Sequence, residues 1–371
     1  MPIGGFEALG DAGNAGVAGG AGDVENMAGC SSALPINALI RTRDGTVDSW
    51  GETVSELPHL KLDDPGNLER WDPRARVSIV DFEVYSRLAF ADDGQDTVTV
   101  SHLHEDEDGI LHRRDLAELT RPPEKTFVSQ LKHVYAYAEL RAERTLEILA
   151  QPDLPMTFLS FGTYPSQERA QWTLELLTAA SRLAHYVSQR TKHALACRRP
   201  SELSARVHPI VPVPLHGALP SGHATEAFTV AAVLCELVRA SQPKQMHSAW
   251  RTQSMRLANR IAVNRTIAGV NFPVDNVAGA VLGLTLGHYL IARSKKTPAL
   301  TAWAFDGSDG IYPPDLDFDW SSLYNAETGH QTRAGKHVIE MGPEEIDTSP
   351  ILEWLWKKAL AEWEAPNPQD R

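Results

Sequence analysis

From Pro123 onward, apolar residues recur at three- and four-residue intervals through five long segments. These are "KTFVSQLKHVYAYAELRAERTLEILA", "QERAQWTLELLTAASRLAHYVSQRTKHALACR", "SGHATEAFTVAAVLCELVRA", "SAWRTQSMRLANRIAVNRTIAG" and "DNVAGAVLGLTLGHYLIAR". That period predicts amphipathic helices packed as a bundle. Upstream, residues 36–122 hold short strand-like runs, "VSIVDFEVY" and "DTVTVSHLH", separated by acidic turn-rich segments such as "HEDEDG". They predict an irregular cap with one hairpin. The expected fold is mostly α, a helical bundle with a small β-containing N-terminal cap.

The run from Asn276 to Arg293 approaches membrane-span length, but it contains Gly279, Gly283, Gly287 and His288, so a buried helix is expected. In "SPILEWLWKKALAEWE", residues Leu352, Leu355, Trp356, Ala359 and Trp363 form an apolar stripe expected to dock on the same chain. The segments are therefore a Gly/Ala-rich flexible tail (1–35), the cap (36–122), a helical core (123–295), and an acidic loop with a docking helix (296–371).

Composition narrows the function. A 371-residue chain with 42% hydrophobic residues can bury a large core, and a net charge of −13 offers no basic field for nucleic acid or an anionic membrane. Neither is expected as a partner. Cys30, Cys197 and Cys235 have no CxxC spacing and the N-terminus has no apolar signal core, which points to a reducing, cytoplasmic compartment.

Three separated blocks carry candidate chemistry. In "KHALACRRP", Lys192 and Arg199 are seven residues apart, a spacing that on one helix places both on the same side, with Pro200 ending the helix. In "LPSGHATEAF", Ser221 is a natural N-cap, and the amides of the following turn with Gly222 form an anion site within proton-transfer reach of His223. In "NRTIAGVNFPVD", Arg265 supplies a fork of donors for a tetrahedral oxyanion, and Asp275 is placed to cap a helix starting at Asn276.

Taken together, the order Lys-x6-Arg-Pro, Pro-Ser-Gly-His, Arg-x5-Asn-x3-Asp resembles the signature shared by type 2 phosphatidic acid phosphatases, bacterial non-specific acid phosphatases and vanadium-dependent haloperoxidases. The resemblance runs from about Lys132 to Arg293. It implies a helical bundle of that type in which Lys192, Arg199, Ser221, Gly222 and Arg265 bind the oxygens of phosphate or vanadate. His223 would be the acid/base residue, with Lys192, His216 and Asp275 assisting. His216, seven residues before His223, resembles the bromoperoxidase side of the superfamily. On that lineage the partners would be hydrogen peroxide, a halide (bromide favoured) and an organic acceptor, the cofactor vanadate, and the assembly a homo-oligomer.

Two positions depart from the pattern: Asn264 stands where serine is usual, and Asn271 where the axial histidine that ligates vanadium or attacks phosphorus is expected. Asparagine is a poor metal ligand and a negligible nucleophile. The substitution is thus engineered, a natural loss, or the mark of a redirected site: an acid phosphatase, a prenyl-diphosphate-processing enzyme, or a non-catalytic oxyanion binder. "DDGQD" (Asp92–Asp96) spells the Asp-Asp-x-x-Asp of metal-dependent terpene synthases but equally an acidic turn, and the loop Asp306–Trp320, although acidic, lacks EF-hand spacing.

Overall fold

The computed structural model describes residues 41–42, 59–106, 108–151, 157–158, 170–297 and 299–364. The expected flexible tail and Cys30 lie outside them. The chain divides into two units, Met1–Trp71 and Asp72–Arg371. In the first, Asp64 accepts a 2.8 Å hydrogen bond from the Gly66 amide and starts a 3-10 turn, Pro65–Arg70.

The second unit is mostly helical. Its helices are α1 (Pro73–Tyr85), α2 (Glu124–Tyr137), α3 (Arg141–Ala150), α4 (Gln171–Leu195), α5 (Gly222–Ser241), α6 (Lys244–Ile267), α7 (Pro273–Ser294) and α8 (Pro350–Glu364). The first periodic segment predicted one helix. It breaks instead into α2, a 3-10 turn at Ala138–Leu140 and α3, and Arg141 at the break donates to the carbonyls of Ile267, His208 and Val207.

Helix α7 is the centre of the core and every third or fourth neighbour explains why. A side chain at Gly279 would come within 2.6 Å of the Ser221 carbonyl, one at Gly287 within 2.6 Å of Ala232 Cβ, and one at Gly283 would collide with the Thr225 carbonyl. These glycines let α7 lie against α5 at backbone distance, and Thr229 Oγ1 donates to the Gly283 carbonyl at 2.9 Å. Helix α7 is long and apolar enough to cross a membrane, and 94% of its most apolar window is buried inside the protein.

The apolar stripe of α8 is buried as expected. The helix also supplies a cap. Helix α4 begins at Ala170 without a local side-chain cap, and Glu362 of α8 accepts from the Trp172 and Thr173 amides, both at 2.8 Å, and from Thr173 Oγ1.

The cap expectation needs correcting: the run "VSIVDFEVY" lies in helix α1, and the strands extend beyond one hairpin. Rather than one hairpin, strands β1 (Leu88–Asp92), β2 (Thr97–Glu105), β3 (Leu111–Thr120), β4 (Leu300–Asp306) and β7 (Val338–Glu344) form a five-stranded sheet in the order β1-β2-β3-β4-β7. Pairing is antiparallel except between β3 and β4, which run parallel with Ala117 opposite Trp303. Segments on either side of the helical core therefore share one sheet. Strands β5 (Tyr324–Asn325) and β6 (His330–Gln331) make a separate small ribbon.

Both acidic motifs are absorbed by this framework. Asp92 accepts from the Gly94 amide and Asp93 from the amides of Gln95 and Thr97 in the β1–β2 turn, while Asp96 pairs with Arg121. In the loop after β4, Asp309 pairs with Lys125, Asp315 accepts from Ser129, and Asp317 accepts from Tyr137, so the loop is strapped along α2 while Asp309 and Asp315 stay exposed. Among the described residues no cluster of His, Cys, Asp or Glu could hold a metal ion.

Candidate oxyanion site

The three sequence blocks meet at one end of the bundle. Helix α5 starts from a loop, residues 216–221, in which the Leu219–Pro220 peptide is cis, and the Ser221 amide donates to the Asp275 carbonyl at 2.8 Å. Ser221 is the N-cap in extended conformation, but its hydroxyl does not cap: Oγ is buried and has no hydrogen-bond partner among the described residues. The amides of Gly222 and His223, in the first turn, have no intrahelical acceptor. They lie next to Ser221 in sequence, at the positive end of a twenty-residue helix.

Lys192 sits near the end of α4, fully buried. Arg199 does not continue that helix, contrary to the spacing argument: α4 ends at Leu195, Ala196 turns left-handed at φ 49°, and Arg199 is the extended residue before a short turn that Pro200 begins rather than ends. The two cations still converge, because each reaches the 216–220 loop. Lys192 Nζ donates to the carbonyls of Gly217 (3.2 Å), Ala218 (2.9 Å) and Pro220. Arg199 donates to the carbonyls of His216 (3.0 Å), Gly217 (3.0 Å) and Val270 (2.7 Å), to Asn271 Oδ1 (3.2 Å) and to His216 Nδ1 (3.1 Å). Their donors are thus committed to shaping the loop, and they reach an anion chiefly through their charge.

Arg265, in the last turn of α6, is the opposite case. It is 9% exposed, and among the described residues its guanidinium makes no hydrogen bond or ion pair. A buried unpaired cation is costly. Burial, and then Arg199, lower its pKa to about 10, with Glu226 opposing. The preceding Asn264, where serine is usual, points away, donating to Glu147 at 2.8 Å.

Asn271 is locked on both sides. Its Nδ2 donates to the Ala218 carbonyl and to Asp275 Oδ2, each at 3.0 Å, while its Oδ1 accepts from Arg199. Asp275 does not stand before its helix as expected. It is the third residue of α7, and Oδ2 reaches back to the Phe272 amide at 2.8 Å; Oδ1 has no partner among the described residues. Burial raises the Asp275 carboxyl and lowers the Lys192 ammonium, with Arg199 adding to the latter.

His223 makes no hydrogen bond among the described residues. Burial, then the charges of Arg265, Lys192 and Arg199, hold its imidazole well below its ordinary value, so the ring is neutral at physiological pH unless an anion offsets them. His216 is exposed at the loop edge and touches the site only through Arg199. Two residues that the sequence reading left aside belong here. Glu226, one turn beyond Gly222 on α5, accepts or shares a proton with His185 Nδ1 at 3.2 Å. A side chain at Gly222 would meet Ser188 Oγ at 3.6 Å, Lys192 Cε at 3.7 Å and Glu226 Oε1 at 3.9 Å, so Glu226 overlooks the start of α5. Gly222 and Glu226 share a helical face by their four-residue spacing, which is no motif by itself, and His185 joins them only through the packing of α4 on α5.

Residues 172–297, from near the start of α4 through α7, match the PAP2 superfamily. The match covers less than half of the chain. It contains every residue of the pocket described above. A solved structure of the transmembrane PAP2-type phosphatidylglycerolphosphate phosphatase from Bacillus subtilis is similar at 16% identity, covering 47% of this chain and 85% of that one with a TM-score of 0.30. No curated protein matches the chain.

Proposed function

We propose that the PAP2 domain binds the phosphate group of a small phosphate or diphosphate ester and hydrolyses it by acid–base chemistry through His223, without a covalent phosphoenzyme. The observation carrying this reading is the contrast between Arg265, buried with an unused guanidinium, and Asn271, whose amide is spent at both ends. The first supplies a need for an oxyanion; the second removes the nucleophile.

The donors available to such an anion are the Ser221 hydroxyl, the first-turn amides of α5 and Arg265, with Lys192 and Arg199 adding charge that grows in worth as negative charge develops. An entering dianion offsets the cations around His223 and lets it take a proton. Water then adds to phosphorus, the bond from phosphorus to the leaving oxygen breaks, that oxygen takes the His223 proton, and the proton lost by water returns to the ring and restores the imidazolium.

Vanadate is a tetrahedral anion that the same donors suit. A covalently held vanadate would need an imidazole nitrogen where Asn271 stands, and Asn271 does not fit: its amide nitrogen is a donor and its oxygen is held by Arg199. No step of peroxide-driven halide oxidation is therefore assigned to this pocket.

The test is a paired assay of the wild-type chain and Asn271→His. Expected for wild type are competitive binding of phosphate and vanadate, release of phosphate from an aryl phosphate or a short allylic diphosphate, no trapped phosphoenzyme, and no bromination with vanadate, peroxide and bromide. Bromination by the wild type would restore the haloperoxidase reading. Phosphate binding with no turnover of any ester would leave a binding protein.

A further inference from the structure

An anion pocket with a carboxylate at its rim poses a problem of charge. Glu226 stands 3.9 Å from the space beside Gly222, and its charge is felt by both Lys192 and Arg265, so it works against any dianion bound at the start of α5. Its partner is His185, whose side chain is 52% exposed against 18% for Glu226. The pair bridges α4 and α5, with His185 two turns before Lys192 and Glu226 one turn after His223. The charged and titratable groups facing it are Lys192 on α4, His223 on α5, Arg265 on α6 and His216 on the loop.

We propose that His185, held by Glu226, is a fourth cation of the pocket whose protonation accompanies anion binding. Protonated, it offsets the Glu226 charge that Lys192 and Arg265 feel; neutral, it leaves the carboxylate facing the ligand. The pair thereby makes anion affinity depend on pH, stronger below the His185 pKa and weaker above it. The Glu226 hydrogen bond raises that pKa above its ordinary value, outweighing burial and Lys192. The inference rests on the pocket proposed above, not on the reaction assigned to it.

Sulfate is the appropriate probe, because its charge is constant over the pH range in which histidine titrates. Sulfate binding to the full chain is measured calorimetrically at about pH 6 and about pH 8 for wild type, His185→Gln and Glu226→Gln. The wild type is expected to bind more weakly at the higher pH. The two variants should depart from wild type at opposite ends of the range: Glu226→Gln binds more tightly at the higher pH, by about tenfold for one removed charge, whereas His185→Gln binds more weakly at the lower pH and shows a shallower pH dependence. A purely structural pair would weaken binding in both variants alike, and that result overturns the proposal. The His185 ring resonance, assigned by its loss in His185→Gln, provides a second readout: sulfate should raise its titration midpoint, and an unmoved midpoint with sulfate bound overturns the proposal too. Absence of sulfate and phosphate binding in the wild type overturns the pocket itself, and this inference with it.

Discussion

Arg199 donates to Asn271 at 3.2 Å, and Asn271 donates in turn to Asp275 at 3.0 Å, so a cation and a carboxylate that never touch are joined through one amide. The amide suits this place because it donates at one end and accepts at the other. A neutral imidazole could offer one donor and one acceptor as well, but with the acceptor nitrogen turned toward a guanidinium it would no longer be available to a ligand.

Replacing Asn271 with leucine should therefore cost stability as well as pocket geometry. The buried Arg199 and Asp275 each lose a partner, and the Ala218 carbonyl loses a donor; the expected loss is about 2–4 kcal/mol in urea unfolding. A loss below about 1 kcal/mol would mean that the three-residue chain is not a structural element.

Arg265 should behave in the reverse sense. Because its guanidinium has no partner among the described residues, Arg265→Met removes an uncompensated buried charge, and the variant should unfold at the same or higher urea concentration than the wild type in phosphate-free buffer. Phosphate affinity should fall more than about tenfold, the loss of one charge-assisted contact. Unchanged phosphate affinity would remove Arg265 from the pocket.

Asp275 gives the protein a pH slope of defined sign. Its folded pKa is raised by burial, so its stability contribution is present below the unfolded carboxylate value and is lost as pH rises through the higher folded value. The urea midpoint of Asp275→Asn should fall less than that of the wild type between about pH 4 and about pH 7. Parallel pH profiles for the two proteins would contradict the assignment.

Glu362 caps a helix from a segment nearly two hundred residues distant in sequence. Glu362→Ala leaves two buried amides without acceptors and should cost about 1–3 kcal/mol, with loss of protection from hydrogen exchange concentrated at Trp172 and Thr173. Uniform exchange changes along the chain would show that the cap is not local.

The helical core and most of the pocket were legible because their causes are local. Ser221, Gly222 and His223 lie in one turn, and the apolar period of α5 and α7 follows from short-range sequence. Gly279, Gly283 and Gly287 were visible as oddities in an apolar run, but their use as a contact face for α5 required knowing which helix lies opposite. Arg199 was misplaced because nothing in "ALACRRP" announces that Ala196, an ordinary helix former, takes a left-handed conformation. His185 and Glu226 were missed because neither carries a motif; their significance comes from two helices crossing. Asn271 stood out in the sequence as a departure, while two of its three hydrogen bonds reach Arg199 and Ala218, more than fifty residues upstream.

The parallel pairing of Ala117 with Trp303 sets an order of events during synthesis. The first three strands leave the ribosome well before β4 and β7, and at ordinary elongation rates the interval is on the order of tens of seconds. Throughout it, β3 offers an unsatisfied edge to any neighbouring chain. A fragment cut to the matched region, residues 172–297, would lack that sheet altogether together with the α8 residues that cap α4. Recombinant dissection of this protein is thus better begun from the intact second unit than from its catalytic-looking middle.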